Sequence, residues 1–420
     1  MKKICIVTTH HISYNPRVLK EADAFHNRGY QVTVVTVNNH QQQAQFDALL
    51  MQTRSWQLKT VNYRKEIAAE KKRWLLFSVT QKMYAMLSRF TFGMGIAERT
   101  LLKGYDSLKK LAVNENADIY IAHHAEALPL AYAAAKLNKA KFCFDAEDFH
   151  SEMNEGKEPS KDEALISYVE TKYLPHCTYI TAASKGIGEA YARKYKLPLP
   201  QTILNVFPRE AVSSPKKSGV VRFYWYSQVI GPNRSLETLV EAAAQIQHPF
   251  EVHLRGSFHS ASYESTLKAL IGQAGLTEKF FFHPPILAEK IIADAAHYDI
   301  GLALESDISV NRNICVTNKI FSYLMSGLAI VGTDTYGQKD IFQEFPEAVS
   351  LCLQNDANDL ARAMSWFLEN REKLWLAKEK AKNVAQESFN WERESAKLIA
   401  GIERILNTKA PVNLIVAQEQ

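Results

Sequence analysis

Cysteine is scarce in this chain and scattered. Five stand among 420 residues (Cys5, Cys143, Cys177, Cys315 and Cys352), and no two have the spacing of a C-x-x-C pair. That removes the usual zinc and dithiol redox motifs. Three of the five lie in apolar, strand-like runs, where a thiol serves as a small core side chain, and the pattern predicts a reducing, cytoplasmic setting. No apolar run approaches the roughly 18 residues that span a bilayer. The opening, MKKICIVTTHH, has an apolar stretch too short for a secretory leader and reads as a first strand. No glycine-rich G-x-G-x-x-G string follows that strand, which argues against a dinucleotide site there. The phosphate-binding loop of P-loop NTPases, the G-x-S-x-G elbow and H-E-x-x-H are missing as well.

What remains is a globular composition, 46% hydrophobic and 23% charged, in a chain long enough for two or three domains. The net charge of +5 is unevenly placed. Residues 64–110 hold eleven basic residues against four acids, so the remainder is slightly acidic. Large apolar residues are threaded through the same stretch, among them Trp74, Leu75, Leu76, Phe77, Met83, Met86 and Phe90. Two readings fit. An amphipathic helix packs its stripe on its own domain with solvated lysines, or the segment meets an anionic membrane surface. Nucleic acid fits less well, because no reader motif accompanies the charge.

Along the chain, strand and helix patterns alternate. KICIVTT (3–9) is a strand, PRVLKEADAFHNRGY (16–30) a helix opened by proline and closed by Gly29, and YQVTVVTVN (30–38) a second strand. Further strands are expected at 117–124, 141–148 and 179–184, with a helix at 127–138. NVFPREAVSSPKKSG then reads as a linker. After it the alternation restarts: strand 221–227, helix 235–246 with Ser235 as its cap, strand 250–256, helices near 263–274 and 287–297, and strands 299–305 and 349–353. The predicted division is an N-terminal Rossmann-like domain (1–207), a linker (208–219), a second Rossmann-like domain (220–385), a return helix (386–408) and a tail (409–420). Two such sheets take ligand beyond the carboxyl ends of their strands.

Several stretches together resemble one family. SYNPRVLKEADAFHNRGYQVTVVT, TAASKGIGEAYARKY followed by ILNVFP, WYSQVIGPNRSLETLVEA, NKIFSYLMSGLAIVGTD and FNWERESAKLIAGIERIL occur in the order and spacing of the retaining GT-B glycosyltransferases of the large family 4, or group 1, type. The resemblance covers nearly the whole chain. It implies a GT-B α/β fold, with two doubly wound Rossmann-like domains facing across a cleft and a terminal helix crossing back to the first. It also implies hexosyltransferase-type transfer of a sugar from a nucleotide diphosphate sugar, UDP- or GDP-linked, to a glycan or lipid-linked acceptor, with no cofactor and no metal. Polysaccharide or lipid-linked glycan assembly is the implied setting, cytoplasmic or peripheral on the inner face of the membrane.

On the donor side, a diphosphate needs cations and free backbone N–H groups at a helix start. Arg234 precedes the helix 235–246 and fits that need, although a solvated loop arginine is the plain alternative. The family's second basic residue falls at Gln228, which brings no charge. Lys319 is another phosphate candidate, or an ordinary first-turn lysine. Arg255, Gly256 and Asn318 complete the expected donor edge. The family's ribose-binding Glu falls at Ser322, and a second Glu eight residues earlier falls at Ile314. A carboxylate accepts from two hydroxyls where a serine accepts weakly, so Glu305 becomes the substitute acid. Weakened donor binding, a rearranged site and a domain without turnover are the three readings of that change.

On the reacting side, FDAEDFHSE (144–152) places Glu147 where the family tends to have histidine. A carboxylate there either takes a proton from the acceptor or stabilises positive charge at the anomeric carbon. His123 and His124 end the preceding strand pattern and join it as catalytic candidates. His10, His11, Asn15 and Arg17 form the first loop facing the cleft. The alternatives to a transferase are a GT-B-like binding subunit of a glycan-assembly complex and a sugar-nucleotide epimerase.

Overall fold

Runs of β-branched and aromatic residues such as QVTVVTVN become strands whose two faces are both buried, the mark of a parallel sheet covered by helices. The computed structural model describes residues 1–154, 159–210 and 219–407. Residues 211–218 of the expected linker and all of the expected tail lie outside the described residues. The chain divides into two units, one of Met1–Ile203 together with the described residues from Ser395, the other of Leu204–Glu394.

The first unit holds strands β1 (Lys3–Val7), β2 (Gln31–Asn38), β3 (Gln57–Asn62), β4 (Ile119–His123), β5 (Lys141–Ala146), β6 (Tyr179–Ala182) and β7 (Gln201–Thr202). Its helices are α1 (Pro16–Asn27), α2 (Gln41–Met51), α3 (Ala68–Leu87), α4 (Ile96–Leu101), α5 (Tyr105–Val113), α6 (Leu128–Asn138), α7 (Lys161–Tyr173) and α8 (Lys185–Tyr195). The sheet order is β3-β2-β1-β4-β5-β6-β7, with every pairing parallel.

The second unit holds β8 (Val221–Ile230), β9 (Phe250–Phe258), β10 (Phe280–His283), β11 (Ile300–Ala303), β12 (Ala329–Thr333) and β13 (Val349–Cys352). They are ordered β10-β9-β8-β11-β12-β13 and again parallel throughout. Its helices are α9 (Leu236–Ala243), α10 (Ala261–Gln273), α11 (Ile291–Ala295), α12 (Val310–Ile314), α13 (Asn318–Ser326), α14 (Tyr336–Phe342), α15 (Ala357–Glu369) and α16 (Arg371–Glu387); α17 (Trp391–Asn407) ends the described chain. Strand order reverses between β1 and β4 and between β8 and β11. These are the switch points at which open α/β sheets take ligands.

Four expectations shift. The strand foreseen at 117–124 stops at His123, because His124 takes a left-handed backbone (φ 69°) that turns the chain into Ala125–Ala127. The helix foreseen at 287–297 is a tight turn, Ala288–Lys290, followed by the short α11. Ser235 gives no capping bond: its own left-handed conformation (φ 55°) turns the hydroxyl away, and α9 begins at Leu236. The return helix does not run from 386. Asn390 breaks it, its amide donating to the carbonyls of Ala385 and Gln386 while its oxygen accepts from the Arg393 N–H, so one side chain closes α16 and opens α17.

Candidate functional site

Beyond β1, β4 and β5 of the first unit lies a buried ionic network. Arg17, in the first turn of α1, forks onto Asp145 near the end of β5, with Nε–Oδ2 at 2.5 Å and Nη2–Oδ1 at 2.7 Å. Its Nη1 donates to the Ile203 carbonyl at 2.7 Å, and Glu21, one helical turn away, lies 3.5 Å from Nε. His123 ends β4 between two acids, with Nδ1 at 2.8 Å from Glu147 Oε1 and Nε2 at 3.1 Å from Glu21 Oε2. Burial alone would strip its proton, yet Glu21, Glu147 and Asp145 outweigh that and push its pKa up to about 10. His123 is therefore an imidazolium at neutral pH, donating from both nitrogens.

Glu147 is the member of the network that reaches the surface, 15% exposed where its partners are sealed. Asn15 caps α1, its oxygen accepting from the Val18 N–H at 3.1 Å. This leaves its Nδ2 to donate to Glu147 Oε1 at 2.7 Å. Burial opposes ionisation of Glu147, but His124 in its protonated form at low pH, the His123 imidazolium and the Asn15 amide hold its carboxyl well below the usual range. Glu21 goes the other way: burial first, then Asp145, raises it, so it is poised to take a proton ahead of Glu147 as pH falls.

His124 stands beside this carboxylate with its Nε2 at 3.2 Å from Asn15 Nδ2. Burial lowers its pKa to about 4, so it is neutral at pH 7. Its ring lies between those of His10, at 4.5 Å, and His150, at 5.5 Å. His150 is buried, and its Nε2 has no hydrogen-bond partner among the described residues.

Of the residues expected here, Glu147, His124, Asn15 and His10 are brought together at the carboxyl edge. His11 is not: it is buried and holds Asp47 at 2.6 Å and Asn39 at 3.1 Å, which ties the first loop to α2. Arg17 and His123 are sealed beneath Glu147, so they position and charge it rather than meet a ligand. Glu21, Asp145 and His150 join the network without having been singled out for a role; the acid-rich string FDAEDFHSE contains Asp145 and His150, and the i, i+4 spacing of Arg17 and Glu21 signals the third. Glu21, His123 and Asp145 also offer ligand atoms within 4.8 Å of one another. Arg17 and the protonated His123 already fill the cationic role there, so the set fits a metal poorly.

The second unit shows a different economy of charge. Lys319 Nζ lies 2.5 Å from Glu305 Oε1, both buried, so the expected phosphate cation and the expected ribose acid neutralise each other. Ser322 is fully buried, which corrects the expectation that it faces a nucleotide. Its hydroxyl donates to the Lys319 carbonyl at 2.8 Å and accepts from Tyr226 Oη at 2.9 Å. Burial pushes the Tyr226 phenol up to about 12, so that donor persists. Arg255 is likewise engaged, donating to both Asp294 oxygens at 2.8 and 2.7 Å and to the Pro284 carbonyl. Gly256 is required by close approach: a Cβ there would stand 2.6 Å from the Ser227 carbonyl oxygen.

Gln228 and Asn318 are exposed. Arg234 lies between two left-handed residues, Asn233 (φ 59°) and Ser235 (φ 55°), and Arg312 Nη1 pins that loop through the Asn233 carbonyl at 3.0 Å. At the start of α13, the Thr317 hydroxyl is buried with no partner among the described residues, as are both amide atoms of Gln338. Tyr226 lies within the WYSQVIGPNRSLETLVEA stretch, whereas Thr317, Arg312 and Gln338 carry no motif that points to this site.

No protein-family model and no curated protein matches the chain. Solved structures do. HepE of Anabaena in complex with UDP-glucose is similar over 96% of this chain and all of that one, at 13% identity and a TM-score of 0.69. Sucrose-phosphate synthase from Thermosynechococcus elongatus matches 97% of this chain and 99% of that one, at 14% identity and 0.69. A glycosyltransferase from Rickettsia africae matches with the same coverages, at 13% identity and 0.70. With its parallel sheets of seven and six strands, the chain has the GT-B fold.

His123 gives a pH signature. With a folded pKa near 10 against 6.5 unfolded, its stabilisation is complete below pH 6.5 and is lost as pH rises through 10. Chemical denaturation across that window is expected to show the loss, and His123→Gln to abolish the slope while costing about 3–5 kcal/mol near neutrality. A second expectation concerns Ser322. Ser322→Ala strands the Tyr226 hydroxyl and costs about 1–3 kcal/mol, whereas Ser322→Glu buries an unpaired charge and costs more than about 3 kcal/mol. Urea unfolding of the two variants tests that order.

Proposed function

We propose that the protein transfers a sugar, with retention, from a nucleotide diphosphate sugar to a hydroxyl of a glycan or lipid-linked acceptor, in polysaccharide or lipid-linked glycan assembly. The observation that carries the reading is Glu147, a carboxylate held ionised at the carboxyl edge of a GT-B first unit. A fixed negative charge stabilises positive character at a sugar carbon as its bond to phosphate breaks. An inverting transfer needs instead a base whose proton affinity lies near the working pH. Glu147 is held too low for that, His123 already carries its proton, and His124 has a pKa of about 4. None of the three serves as that base, which supports retention, with the departing phosphate taking the acceptor's proton.

In the second unit, the nucleotide's diphosphate would meet Arg234, Gln228 and backbone N–H groups at the start of α13. Solved structures with the same fold, HepE with UDP and with UDP-glucose, support a uridine nucleotide as the first ligand to try. A second reading, a subunit of this fold without turnover, is favoured by one observation: the Ser322 hydroxyl is sealed and Glu305 is paired with Lys319.

Thermal unfolding with UDP and GDP separates the readings. At about 100 times its dissociation constant a bound nucleotide stabilises by about 2.7 kcal/mol, and Arg234→Ala is expected to weaken it by roughly tenfold or more. With a donor in hand, Glu147→Gln is expected to lower kcat by about 100-fold or more with little change in KM. A chain that binds no nucleotide contradicts the transferase and leaves the second reading.

A further inference from the structure

Helix α3 is 20 residues long and none of its residues is buried. One side is fixed to the first unit. Phe77 packs edge-on against Tyr63 at 5.3 Å, and Gly104 lets it approach so closely that a Cβ there would stand 2.9 Å from its ring. Lys103 lies 4.3 Å above the Trp74 ring, and Gln81 donates to the Thr100 carbonyl at 2.9 Å. The helix therefore cannot roll its other side inward.

That other side is apolar. Leu75, Leu76, Val79, Met83, Met86 and Phe90 recur at three- and four-residue steps and are exposed, from 48% at Met83 to 88% at Phe90. Exposed Lys71, Lys72, Arg73, Lys82 and Arg89 flank them, and between residues 65 and 94 Glu66 is the single exposed acid. No helix among the described residues is long and apolar enough to cross a membrane. An apolar stripe bordered by cations on a helix of about 30 Å instead suits lying flat at a bilayer interface. There the stripe enters the acyl boundary and the lysines meet anionic headgroups.

We infer that the outer face of α3, with the turn through Phe90, docks the protein on an anionic lipid surface of the kind a cytoplasmic leaflet presents. A second copy of the chain would leave the surrounding cations facing one another, because the same patch would supply both sides. The inference does not depend on the sugar-transfer reading.

Flotation of the full chain with vesicles of phosphatidylcholine alone, and of phosphatidylcholine with phosphatidylglycerol, tests it. The expected result is flotation with the anionic vesicles only, weakening as salt rises. Lys71→Gln with Lys72→Gln should lower partition roughly 30-fold, and Leu76→Asp with Met83→Asp should abolish it. Thermal midpoints unchanged in both variants show that the fold is intact. Three results overturn the inference: equal flotation on neutral vesicles, flotation on neither, or a lipid-free dimer that Leu76→Asp dissolves.

Discussion

The fork between Arg17 and Asp145 is the interaction on which the first unit's site depends. A guanidinium this deeply buried is tolerable only because a carboxylate and a backbone carbonyl take its donors. Fixing Asp145 in turn places a second negative charge beside His123, and with Glu21 this keeps that imidazole protonated. The charged His123, helped by the Asn15 amide, then holds Glu147 ionised where it emerges at the surface. The chain of cause runs from a helix-start arginine, through two sealed layers, to one carboxylate oxygen pair at the sheet's carboxyl edge. In the proposed transfer the chemistry offered there is electrostatic, and no proton needs to move for Glu147 to act.

In the second unit the same logic gives the opposite result. Lys319 and Glu305 use their charges on each other, and Ser322 closes against Tyr226. In the proposed donor site, the groups left for a ligand are backbone N–H groups, Gln228, Asn318 and the loop carrying Arg234. Its strained turn, with Asn233 and Ser235 both left-handed, is tied down by Arg312. Strain at a loop end is common where a ligand is gripped. The hydroxyl of Thr317, just before α13, and the amide of Gln338, in α14, are among the buried polar atoms that find no hydrogen-bond partner among the described residues.

The alternation of the fold was readable because each signal was local. Pro16 opens α1, Gly29 follows its end with a positive φ, and QVTVVTVN is β-branched enough to make β2. What was unreadable depended on which way a side chain turned. His123 and His124 are neighbours, yet the last residue of the strand lies among three carboxylates and keeps its proton, while the next, turned by a left-handed backbone, is buried with less opposing charge and is neutral. His10 and His11 part in burial alone, His10 exposed and His11 buried against Asp47. Ser322 was expected at a ligand because Glu suits that position in the resembling family. The serine instead lets α13 settle onto Tyr226, a contact between residues 96 apart in sequence. Ser235 looked like a cap by residue type and was overruled by its backbone angle.

The charge on His123 is what keeps Glu147 ionised. Nitrogen-15 NMR of the histidine side chains, with His123 assigned from the spectrum of its Gln variant, reads that charge directly. The account predicts two protonated ring nitrogens on His123 that persist to pH 8 and begin to titrate only toward pH 10. A His123 that loses a proton near the ordinary imidazole value of 6.5 would contradict it.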